Sequence, residues 1–151
     1  MFIDPSTLPY YTTLVAIRNS TKLVTGLRFP KGKCQHATRA SHIVIPELEE
    51  VAGWYEKITT RKGLKHPKYE WHAWNYDPQR GIDICLTAQQ FDHKYPEILV
   101  TKKDELYVRA SGYTQEQKEH NKVFFRFQVS GIVALVRQYE AHFAQSERLK
   151  R

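Results

Sequence analysis

Lys31, Lys33, Cys34, His36, Arg39 and His42 crowd the stretch FPKGKCQHATRASHIVIP, residues 29–46, which contains no acid. Residues of these types support two chemistries. Cations in a Pro/Gly loop with exposed backbone N–H groups can cradle a phosphate. Histidines beside a lysine can cleave RNA by general acid–base transfer; the group here is His36, His42 and Lys33, with His72 as a further member.

The acid-free run is longer than this stretch. Between Asp4 and Glu47 there is no acid, while Arg18, Lys22, Arg28, Lys31, Lys33 and Arg39 are all present. A second such run, Lys57 to Tyr69, holds Lys57, Arg61, Lys62, Lys65 and Lys68. From Glu70 to Val100 the balance reverses, with Glu70, Asp77, Asp83, Asp92 and Glu97 against Arg80 and Lys94. The net charge is +7. Charge segregated in this way marks an anion-binding face better than the total does.

Aromatic residues follow the second basic run. In KHPKYEWHAWNY, alternate strand residues share a face, so Tyr69 and Trp71 fall on one side and Trp74 and Tyr76 on the other. One pair suits a core. The other suits a basic sheet surface, where rings stack bases. Tyr107 with Arg109, and Phe124 with Arg126, repeat the pairing of ring and cation on later segments.

Other constellations are incomplete. Cys34 and Cys85 are far apart and form neither a CxxC nor a disulfide framework. His66, His72, Glu70 and Asp83 lack a metal-ligand spacing, and no Walker A, GxGxxG or GxSxG motif occurs. No metal or cofactor is expected. His36-Ala37-Thr38 resembles one half of the paired His-x-Thr motif of the two-histidine phosphoesterases, whose chemistry needs a second copy; the chain has no second His-x-Ser/Thr.

The elements that must position these residues read as follows. Alternation and β-branched content predict strands over Tyr11–Arg18, Lys22–Phe29 and Ala37–Ile45. Pro46, the glutamates after it and Gly63 predict a helix over 46–63, buried through Leu48, Val51, Ala52, Tyr55 and Ile58. A hairpin turns at Asp77–Gly81, a second turns near Lys102–Asp104, and a last strand, Val123–Val129, leads into a C-terminal helix capped by Ser130.

The expected fold is therefore α+β: a curved, mostly antiparallel sheet of about eight strands with one mid-chain and one C-terminal helix. The chain reads as a single domain over 1–151, with a short flexible N-terminal segment and a basic C-terminal tail. This element order resembles that of the Whirly and related transcriptional-coactivator folds, which implies single-strand binding, and that of PH-like barrels. With 41% hydrophobic and 26% charged residues, no long apolar run and no cationic leader, the chain reads as globular and intracellular, with no membrane contact.

Composition and pattern together predict a non-enzymatic nucleic-acid-binding protein for single-stranded DNA or RNA, of limited sequence selectivity. Arg28, Lys31, Lys33, Arg39, Arg61, Lys62, Lys65 and Lys68 would neutralise phosphates. Trp71 or Trp74, with Tyr107 and Phe124, would stack bases beside Arg109 and Arg126. Two alternatives stand beside it: an assembly or adaptor subunit, or homo-oligomer, whose basic face meets an acidic protein partner, and the small histidine-dependent nuclease.

Overall fold

A computed structural model describes residues 2–110 and 125–150. Its order is α1 (Tyr11–Thr25), α2 (Cys34–Val44), β1 (Glu49–Arg61), β2 (Leu64–Asp77), β3 (Ile82–Cys85), β4 (Leu99–Lys102), β5 (Tyr107–Arg109) and α3 (Arg126–Leu149). The strands form one antiparallel sheet in the order β4-β3-β2-β1-β5. The α+β class holds. The described residues give five strands rather than about eight, three helices rather than two, and an open sheet, so the resemblance in element order lapses.

The first three expected strands lie in helices. Residues 11–18 begin α1, whose Leu14, Ile17 and Thr21 are fully buried at helical spacing. Residues 22–29 are the end of α1 and the turn after it, opened by Gly26 at φ 87°. Residues 37–44 belong to α2 and Ile45 caps it; small buried residues, Ala37, Ala40 and Ser41, let the helix settle closely on the sheet. The Asn75 amide fixes that contact by donating to the Thr38 carbonyl at 3.0 Å.

The expected helix over 46–63 is strand β1. Its aromatic and β-branched content, Val51, Trp54, Tyr55, Ile58, Thr59 and Thr60, outweighs the acidic N-terminal signal. Gly53 is required here: a Cβ would lie 2.0 Å from the Val108 carbonyl oxygen of β5. β1 turns directly into β2 through Lys62 and Gly63, both at positive φ (51° and 74°), the conformation of a tight type I′ hairpin turn.

The hairpin at Asp77–Gly81 forms as expected, with the Asp77 carboxylate accepting from the Gln79 and Arg80 N–H groups. The second expected hairpin does not form, since β4 pairs with β3 while β5 crosses to the far edge and pairs with β1. Residues 125–129 are helical or pre-helical rather than strand, and α3 starts at Arg126, ahead of Ser130. The expected polar loop at 112–122, Val123 and Phe124 lie outside the described residues.

Two cores sandwich the sheet. On one face Ile82, Ile84 and Val100 meet Leu14, Ile17, Ala37, Ile132 and Val136 of the helices. On the other, Tyr55, Trp74, Cys85, Leu99 and Tyr107 meet Ala88 and Phe91 of the β3–β4 connection. The N-terminal segment lies along β4, with the Ile3 N–H donating to the Val100 carbonyl at 2.8 Å. Among the described residues no helix is long and apolar enough to cross a membrane.

Candidate nucleic-acid interface

β1 and β2 are much longer than their neighbours. β5 pairs only with Gly53–Tyr55, and β3 only with Asn75–Asp77. Beyond those points the hairpin continues as a two-stranded ribbon over residues 56–69, almost all of it exposed. The second acid-free run of the sequence lies on this ribbon.

Register sorts its side chains into two faces. Tyr55, Lys57, Thr59 and Arg61 lie opposite Glu70, Lys68, His66 and Leu64. Lys57 directly faces Lys68, an arrangement of like charges that destabilises a sheet unless an anion lies between them. Glu70 answers Lys68 at 3.7 Å on an exposed rim, and a pair of that kind contributes little. On the other face Trp54, Glu56, Ile58 and Thr60 lie opposite Trp71, Tyr69, Pro67 and Lys65. Trp54 (40%), Trp71 (39%) and Tyr69 (57%) are exposed, and the two indoles meet edge to face at 5.0 Å. The ribbon thus carries a cationic face and an aromatic face.

The other expected site residues scatter. Arg61, Lys62, Lys65, Lys68 and Trp71 come together on the ribbon. Arg28, Lys31 and Lys33 sit on the connection between α1 and α2, a helix–helix loop rather than a strand–strand one. Arg39 is held by Glu50 at 2.7 Å. Trp74 and Tyr107 are buried at 0% and 1% exposure, and a ring closed on both sides by Tyr55, His72 and Phe91 offers no face to a base. Arg109 is paired with Asp83 (2.8 Å) and Asp104 (2.7 Å) and lies over the Tyr76 ring, so it serves the sheet edge. Arg126 is the exposed first residue of α3, and Phe124 lies outside the described residues.

The histidines do not assemble either. His36 is buried against Gln128 and Phe125 of the α3 end. His42 donates from Nδ1 to the Leu48 carbonyl at 2.7 Å, and His72 lies inside the aromatic core. Among the described residues no group of three His, Cys, Asp or Glu side chains is arranged to hold a metal.

A second constellation went unread in the sequence. Cys34 is the first residue of α2 and is buried against the backbone of Ala73 on β2. Ala73 is the neighbour of His72. The His72 ring meets the Cys85 sulfur through Nε2 at 3.0 Å, and the Gln90 side-chain nitrogen approaches its Nδ1 at 3.3 Å. Gln90 also accepts from the Gly32 N–H at 3.4 Å, two residues before Cys34. Burial governs the titration here: it lifts the Cys34 thiol, raises Cys85 to about 11 and lowers His72 to about 3. The cluster rests as neutral thiols and a neutral imidazole.

Comparison with protein-family models, with curated proteins and with solved structures returns no match.

Proposed function

We propose that this protein binds single-stranded nucleic acid through the β1–β2 ribbon. The observation that carries the reading is the opposition of Lys57 and Lys68 on a hairpin that also bears Arg61, Lys62 and Lys65, with no acid from 57 to 69. Glu70 partners Lys68 only at an exposed rim, so a polyanion that neutralises the remaining cations would be favoured there. The exposed rings on the reverse face favour a strand with unpaired bases over a closed duplex.

The test is fluorescence anisotropy of labelled single-stranded DNA, single-stranded RNA and duplex DNA over a salt series. Single strands are expected to bind more tightly than duplex. Lys62→Ala/Lys65→Ala is expected to weaken binding and flatten the log–log salt slope by about 0.7 for each phosphate no longer neutralised. Absence of binding at physiological salt, or an unchanged slope in the variant, overturns the reading and turns attention to an acidic protein partner.

A further inference from the structure

We propose that the aromatic face of the ribbon selects bases bearing an exocyclic amino group, with Glu56 as the acceptor; this rests on the reading of the ribbon as a single-strand surface. Tyr69 and Trp71 are two residues apart on one face of β2. At about 3.4 Å per residue their ring positions lie about 7 Å apart along the strand. That is twice the ~3.4 Å step of stacked bases, a spacing at which rings on one face can meet successive bases of a strand. Trp54 packs edge-on against Trp71 on the same face.

Glu56 lies directly opposite Tyr69, on the aromatic face and exposed. It is the one acid between Glu50 and Glu70, and it stands apart from the cationic face. An ionised carboxylate only accepts hydrogen bonds. It repels phosphate, so the backbone of a bound strand is turned toward the lysines and the bases toward the rings. It accepts from an amino group such as cytosine N4 and meets only an acceptor at the same position of thymine or uracil. Charge on the two faces therefore sets both the orientation of the strand and a preference among bases.

Labelled oligo-dC and oligo-dT of equal length carry equal charge and pyrimidine rings of similar size. At neutral pH and fixed salt, the protein is expected to bind oligo-dC about tenfold more tightly. Glu56→Ala is expected to bring the ratio to about one, mainly by weakening oligo-dC, which loses its acceptor. Tyr69→Ala is expected to weaken both by stacking loss. Equal affinity for the two oligonucleotides in the unmodified protein, or a ratio that Glu56→Ala leaves unchanged, overturns base selection while the ribbon remains a binding surface. Failure of both to bind overturns selection together with the ribbon reading.

Discussion

One hairpin carries two tryptophans three residues apart with opposite fates. Trp74, at the root, is fully buried among His72, Tyr107 and the rest of the second core. Trp71 lies on the other face, past the cover of the helices, and is 39% exposed. The residue type is the same and the strand is the same. What differs is strand parity and the reach of the neighbouring strands and helices. A ring becomes core where the sheet has layers on both sides and surface where the hairpin outruns them. The same rule separates Tyr55, stacked on Phe91, from Tyr69.

Substitution sharpens this contrast. Trp74→Ala should cost about 3–5 kcal/mol in urea unfolding, the penalty of a large buried ring removed from a closed core. Trp71→Ala should cost about 1–2 kcal/mol in the same assay, close to the worth of an edge-to-face pair with its area, yet it should weaken single-strand binding where the buried site does not. Equal destabilisation by the two would dissolve the distinction between root and ribbon.

The root should also be the acid-sensitive part. Burial alone draws His72 from 6.5 to about 3. Above about pH 6.5 both folded and unfolded chains hold the ring neutral, so the shift has no effect on stability. As pH falls toward 3 the unfolded chain takes up a proton that the folded chain refuses, and stability declines; below that it levels off. Between pH 7 and 4 the decline attributable to His72 is at most about 3 kcal/mol. Burial lowers His36 as well, with the same sign. His72→Leu should therefore flatten part of the pH dependence of the urea midpoint, and an unchanged profile would count against the buried neutral imidazole.

At the ribbon the expected effect is small and of opposite sign. Lys57→Glu replaces the like-charge pair with an ion pair to Lys68, leaves the Lys68–Glu70 pair in place, and should raise stability by about 0.2–1 kcal/mol. The same change should lower affinity for single strands. A variant that gains stability and keeps its affinity would show that the lysine pair has no part in binding.

Some of this was legible in the sequence. The Asp77–Gly81 turn has the residues that turns require, and the apolar stripe Ile132, Val133, Val136 marks the C-terminal helix. The opposite faces of Tyr69/Trp71 and Trp74/Tyr76 follow from strand parity alone. The front of the chain was misread for a physical reason. Thr12, Thr13, Val15, Ile17, Val24 and Thr25 give α1 the composition of a strand, while its spacing Leu14, Ile17, Thr21 is that of a helix, and tertiary burial decided for spacing. In β1, Pro46 and the glutamates imitate a helix start, yet Glu50 is present to meet Arg39. That error hid Trp54 and Glu56 from the candidate site. The alternation Trp54, Glu56, Ile58 against Tyr55, Lys57, Thr59 was the available signal. Which of the aromatics would be covered could not be read without knowing that β3 and β5 are so short.

The brevity of β5 has one more consequence. Past Tyr55 on β1, no described strand covers the outward N–H and C=O groups of the ribbon, and β2 is likewise uncovered before Asn75. Bare edges of this kind invite a neighbouring molecule to add a strand, the first step of fibrillar aggregation. Lys57, Lys62, Lys65 and Lys68 guard those edges by mutual repulsion between copies. Any modification that neutralises these lysines, such as acetylation, would remove that repulsion and leave the edges open to pairing.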